Sequence, residues 1–183
     1  NPIIDAKGVG DNLQDHLDCA LRFEVSKPVT LTPYLGIIKG GLAGAQYLLG
    51  GNGPATSQGV EAGAFWGSDA GSTLPEWQAH LALALRNPPP NERVSHGFAV
   101  RVCQLRPKSR GVLRLRSPNP ADSPRIDPKF LSEASDFTSL QTGVCQMCEM
   151  VQQSPLKKLI KRPIDSAAFG DANSRAQWIR DYA

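Results

Sequence analysis

Between Trp77 and Arg86 the chain alternates. Trp77, Ala79, Leu81, Leu83 and Leu85 form one stripe, and Gln78, His80, Ala82, Ala84 and Arg86 form the other. Successive side chains of a strand point to opposite sides, so this stretch builds a sheet that is apolar on one face only. Such a sheet must be covered on its apolar side and can stay open on the other, a pattern of antiparallel rather than parallel sheets. Asp18 to Val25 repeats the pattern, with Cys19, Leu21, Phe23 and Val25 against Asp18, Ala20, Arg22 and Glu24.

Other stretches fit the same scheme. A strand is expected over Gln58 to Trp66. Gly97 to Leu105 and Val112 to Arg116 read as a hairpin turned by Pro107 to Gly111, with Arg114 and Arg116 on its wet side. Ser117 to Pro128, rich in Pro, Asp and Ser, reads as an extended connection, and the proline run Pro88 to Pro90 as a loop. Two stretches have helical character. Tyr34 to Leu49 is rich in Leu, Ile and Ala although loosened by glycines. From Glu133 to Gln153, Phe137, Leu140, Val144, Met147, Cys148 and Val151 recur three or four apart. A final helix begins at Ser174 as N-cap. Strands followed by helices predict an α+β fold, an antiparallel β-sheet with helices packed on one face.

Composition narrows the function. The 183 residues carry 20 basic and 17 acidic side chains, a net charge of +3 with the bases dispersed, which argues against nucleic-acid binding. The apolar stretch Tyr34 to Gly50 is broken by Lys39, Gln46 and several glycines, so no transmembrane segment is expected. The chain opens on Asn1 with no signal-peptide pattern, and its final helical pattern runs to Ala183 uncapped, so a piece of a longer protein is expected. Four cysteines in this length do not resemble a secreted disulfide scaffold, which favours a reduced, cytoplasmic setting; peripheral attachment of the parent to a membrane is left open. Cys145 and Cys148 form a C-x-x-C pair with no second pair and no neighbouring histidine, so no metal site is expected and both read as helix residues.

Gly8-Val9-Gly10 starts a dinucleotide fingerprint, but Leu13 stands where its third glycine belongs, and no phosphate loop or nucleophile elbow occurs. Only His16, His80 and His96 could serve as imidazoles, and no ligand or triad spacing links them. His80 is the most interesting because it lies mid-strand opposite the apolar stripe. Asp18 and Glu61 are carboxylates on strands, either solvated or, on a cavity wall, able to hold a cation or a hydroxyl.

GVGDNLQDH (Gly8 to His16) resembles the segment that closes the first half of the glucose–methanol–choline (GMC) oxidoreductase fold. EAGAF (Glu61 to Phe65), WQAHLAL around His80, and HGFAVRVCQLRPKSRGVLRLRSPNPADSPRIDPKFL (His96 to Leu131) resemble later family segments in the same order, as does the helix with Asp136, Leu140 and Gly143. The resemblance implies an enzyme that oxidises primary alcohols, aliphatic or choline-like, by hydride transfer to FAD. It implies residues 1–17 as the end of the flavin-domain segment and 18–183 as the substrate-binding domain. The implied partners are a small-molecule alcohol and the flavin domain of the same parent chain.

The family's base and most of its flavin cradle have no counterpart here. No catalytic residue is therefore expected within the chain, and no FAD retained by it alone. The resemblance assigns substrate contacts to His80 and Asp18, a structural or cavity-lining place to Glu61, and a position near the flavin to Asn12. Asp18 stands where choline-oxidising relatives carry Glu, one methylene longer, which counts against choline. The alternative is an isolated binding or interaction module without catalytic activity.

Overall fold

Each alternating stretch becomes a strand of one sheet, and the apolar-periodic stretch near residue 140 becomes the helix that covers it. The computed structural model describes residues 4–68, 73–86 and 94–182. In chain order these form β1 (Asp18–Val25), α1 (Ile37–Gly50), β2 (Val60–Trp66), β3 (Trp77–Ala82), β4 (Gly97–Gln104), β5 (Val112–Arg114), β6 (Arg125–Asp127), α2 (Ala134–Val151), α3 (Leu156–Leu159), β7 (Ile160–Pro163) and α4 (Ala172–Tyr182). A five-stranded sheet runs in the order β2-β3-β4-β1-β7, each neighbouring pair antiparallel.

Cys19, Leu21 and Phe23 of β1, Ala79 of β3, and Phe98, Val100 and Val102 of β4 share the covered face with Leu140, Val144, Met147 and Val151 of α2. Each large side chain buried there contributes about 1.5–3 kcal/mol. Phe23 and Phe98, directly paired across β1 and β4, stack at 4.9 Å. Trp77 is 1% exposed and donates its indole N–H to the Ser139 carbonyl at 2.9 Å. A Cβ on Gly143 would lie 2.6 Å from the Trp77 ring, so α2 approaches the sheet this closely only because that position is glycine. The predicted α+β architecture is therefore the observed one, an antiparallel sheet with helices against its apolar face.

The structure differs from the sequence reading in five places. The expected hairpin of 97–105 with 112–116 does not form: β4 stays in the main sheet, while β5 pairs with β6 in a separate two-stranded sheet. The connection Ser117 to Pro128 thus contains a strand, and β5 takes a second neighbour in the Gly10–Leu13 segment, with Leu13 and Gly111 exchanging both backbone bonds. β3 ends at Ala82 rather than Arg86, because the Leu83 N–H goes to the Gly59 carbonyl and the Leu85 N–H to the Thr32 hydroxyl. β7, unforeseen, extends the sheet beyond β1, where Lys161 and Arg162 both reach Glu24. Finally, Asp171 rather than Ser174 caps α4, its carboxylate accepting the Ser174 N–H at 2.8 Å. The proline run at 88–90 lies outside the described residues. Among those described, no helix is long and apolar enough to cross a membrane.

Candidate functional site

The strand pairing fixes which residues share the open face. Gly63, His80, Arg101 and Ala20 form one row across β2, β3, β4 and β1, and Phe65, Gln78, Cys103 and Asp18 form the next. Directly paired residues of antiparallel strands project to the same side. His80 and Gln78 are half-buried there, in strands whose other faces are locked into the core through Trp77 and Ala79.

The three histidines divide cleanly. The His16 ring is bonded to the Leu105 carbonyl at 2.9 Å, and the His96 ring to the Thr30 hydroxyl at 3.2 Å, where Thr30 also accepts the Gly97 N–H. Both serve the backbone framework. His80 makes no hydrogen bond to any described residue, and the neighbour facing it from β2 is Gly63, which leaves the space above that position free of a side chain. A half-buried imidazole whose nitrogens bond no described residue, in the middle of a rigid sheet, can accept or donate a bond to an incoming ligand.

Asp18 is placed on the same face but is not free. Arg101 holds it in a fork, its Nη2 donating to Oδ1 at 2.8 Å and its Nε to Oδ2. That hydrogen bond raises the Arg101 pKa above its ordinary value. Arg101 went unnoticed in the sequence although its signal was present. In Phe98-Ala99-Val100-Arg101-Val102 the apolar residues that alternate into the core put Arg101 on the opposite stripe. Cys103, beside Gln78 and Asp18, is buried, and its thiol is pushed up by that burial and then by the Asp18 charge, which makes it a poor nucleophile.

Glu61 and Asn12 stand apart from this row. Glu61 sits in a bulge of the edge strand β2, where the register shifts between Val60 and Ala62, and accepts a bond from the Ser57 hydroxyl. Asn12 belongs to the segment running along β5, exposed and in a left-handed conformation with φ 59°. Just before it, Gly10 is also left-handed, at φ 80°, and packs so closely on the Leu113 carbonyl that no Cβ would fit. Glycine here allows the close contact with β5. The C-x-x-C pair lies along α2, with Cys148 in the core, donating to the Ala168 carbonyl and pushed up to about 12 by burial. Among the described residues no cluster of histidine, cysteine and carboxylates could hold a metal ion.

A sheet covered by helices on one side, with a polar row open on the other, is the architecture of the GMC-type substrate domain. The profile of the GMC oxidoreductase family matches residues 107–182, and together with the relatives below it shows that the chain belongs to the GMC oxidoreductase superfamily. It is 36% identical over 185 residues to an oxygen-dependent choline dehydrogenase of Klebsiella pneumoniae subsp. pneumoniae, covering 100% of this chain and 33% of that protein. The chain thus spans about a third of the length of the curated relatives it matches. Among solved structures, formate oxidase of Aspergillus oryzae RIB40 superposes with a TM-score of 0.80 at 19% identity, over 100% of this chain and 37% of that one. Pyridoxine 4-oxidase from Mesorbium loti superposes with a TM-score of 0.74 at 20% identity, over 97% and 31%. At these identities the structures speak for the fold alone.

Proposed function

We propose that the open face of the sheet is the substrate-side wall of an FAD-dependent oxidoreductase that oxidises a primary alcohol, the flavin being held by another domain of the parent chain. The observation that carries this reading is His80, whose ring, unlike those of His16 and His96, bonds no described residue and stands on the middle of the open face. In this reading its imidazole bonds the substrate hydroxyl and fixes the carbon-bound hydrogen toward the cofactor. The bound flavin supplies the hydride acceptor. Gln78 and Phe65 border the same surface, while Glu61 lines its edge through the bulge and Asn12 approaches the cofactor from the β5 side.

The charge on this face selects among alcohols. Asp18 is paired with Arg101, which neighbours His80 in the row, so a substrate carrying a quaternary ammonium would meet a neutral ion pair rather than a free carboxylate. A neutral aliphatic alcohol fits better than choline.

The test is turnover of the full-length enzyme with an artificial electron acceptor. His80→Ala lowers kcat/KM about a hundredfold while thermal unfolding stays unchanged, because the imidazole supports no described contact. Choline and its neutral isostere 3,3-dimethylbutan-1-ol are compared in the same assay, and the isostere is the better substrate. Unchanged kinetics in the variant would remove His80 from the site. A clear preference for choline would overturn the charge argument and leave the family membership untouched.

A further inference from the structure

Helix α1 is covered on one side only, and what lies on the other side is unusual for a solvent-facing helix. Its inner side is Gly40, Ala43 and Gly44, with Ala43 buried. Its outer side carries Ile37, Ile38, Leu42, Leu48 and Leu49, exposed by 94%, 80%, 66%, 83% and 91%. At 100° per residue these five fall in a single stripe with Gly41 and Ala45 at its centre. At about 100 Å² of apolar surface per large aliphatic side chain, the stripe presents roughly 500 Å². Tyr34 and Leu35 of the preceding turn, also exposed, extend it toward the ~800 Å² per partner that a specific interface buries.

The glycines tell what that partner is. Gly40 is required by the chain itself, since a Cβ there would lie 2.8 Å from the Tyr34 carbonyl oxygen. Gly41 is not, because a Cβ there meets nothing within 4 Å. Glycine is the poorest helix former after proline, so an exposed glycine with open space around it weakens α1 to no benefit within this chain. It does benefit a second helix crossing at that point, which needs a small centre between bulky ends.

Apart from Leu42, whose mirror position is Gly44, the stripe is also symmetric about residue 43. Ile37 mirrors Leu49, Ile38 mirrors Leu48, and Gly41 mirrors Ala45. Two copies of α1 laid antiparallel would set the isoleucine end of one on the leucine end of the other and bring Gly41 against Ala45 at the crossing, the self-complementarity a two-fold interface demands. From Pro28 to Val60 the only charged residue is Lys39, so little repulsion opposes the pairing. A lipid surface fits less well: interfacial helices carry a lysine- and arginine-rich polar face, and a flat bilayer has no use for a small centre.

We infer that the exposed stripe of α1 is a homodimer interface, in which two copies of this chain pair through antiparallel α1 helices crossing at Gly41 and Ala45. The inference stands independently of the catalytic reading.

Sedimentation equilibrium of the full-length protein tests it, with Gly41→Leu and Ile38→Glu as variants. The wild type sediments as a dimer at about micromolar concentration, and each variant weakens it at least ~10-fold. Gly41→Leu is the decisive variant: its side chain enters open space, so helical circular dichroism and thermal unfolding are retained while the close crossing is blocked. A monomeric wild type would overturn the inference, whether or not the protein binds anionic vesicles. So would a dimer that Gly41→Leu leaves at full strength.

Discussion

Asp136→Asn tests what holds the covered side of the domain together. Asp136 lies in the first turn of α2, 2% exposed. Its Oδ2 accepts the Ser109 N–H at 2.7 Å and the Ser109 hydroxyl at 2.6 Å, and its Oδ1 accepts the Lys108 N–H at 2.9 Å and the Gln104 amide at 3.5 Å. One carboxylate therefore ties α2 to the end of β4 and to the turn that leads into β5.

An asparagine must present its NH2 to one of these two donor sets, so a backbone N–H loses its acceptor and faces another donor. That costs about 1–3 kcal/mol, and the surviving bonds lose their charge assistance, for a total of roughly 2–4 kcal/mol. In a domain of this size the melting temperature falls by about 5–15 °C. Burial alone would raise the Asp136 pKa, but the bonds from Lys108 and Ser109 outweigh it and hold the carboxyl below its ordinary value. A pKa depressed on folding means that this stabilisation is complete above the unfolded value of about 4 and is lost as pH falls toward the folded value. Urea unfolding followed by tryptophan fluorescence should therefore show a gap between wild type and Asp136→Asn that is full at pH 7 and narrows below about pH 4. Equal midpoints at pH 7, or a gap that ignores pH, would refute the assignment of Asp136 as the tie.

Other positions yield sharper readouts of single contacts. Gly143→Ala gains up to ~1 kcal/mol of helix propensity but drives a Cβ into the pinned Trp77 ring, so the net effect is a loss of about 1 kcal/mol with an altered near-ultraviolet tryptophan signal; a stabilised variant would contradict the close approach. Arg101→Gln releases the Asp18 carboxylate and should move the ratio of kcat/KM for choline over its neutral isostere about tenfold toward choline, whereas an unchanged ratio would place the pair outside the substrate's reach. Of the four thiols, only Cys145 should react quickly with a maleimide in the native protein, as mapped by peptide mass. Cys19 and Cys148, both pushed up to about 12 mainly by burial, and Cys103 should react only after unfolding.

Where the sequence was readable, one strong period acted alone. β1 and β3 are long enough, at 8 and 6 residues, for alternation to mark both the strand and its buried face, and in α2 the spacing Leu140, Val144, Met147, Val151 marks the side that meets the sheet. β5, β6 and β7 have only 3, 3 and 4 residues, too few for a period to rise above chance. Their pairing is decided elsewhere. The Pro107–Gly111 turn looked like a hairpin loop, but Asp136 binds the backbone of that turn from 27 residues away and directs the chain toward β6 instead. β7 joins β1 through Lys161 and Glu24, which are 137 residues apart and share no local signal. The site divided in the same way. The place of His80 on the open stripe was legible from the alternation of its strand, whereas the engagement of Asp18 by Arg101 depends on which strand lies beside β1.

The two faces of the sheet therefore carry separable duties, and the separation explains why an unbonded histidine can be held in place at all. An imidazole with no hydrogen bond has only its backbone to position it. His80 takes that position from β3, which is paired on both sides with β2 and β4 and anchored from below by Trp77 and Ala79, 1% and 3% exposed. The large buried side chains of β1, β3 and β4 lie on the covered face, while small ones such as Ala20 and Cys103 fill the floor of the other face between its polar groups. Arg101 and Asp18, one position over, resolve the same situation the other way, by satisfying each other. Within a single surface the structure thus sets an ion pair beside an imidazole that bonds no described residue.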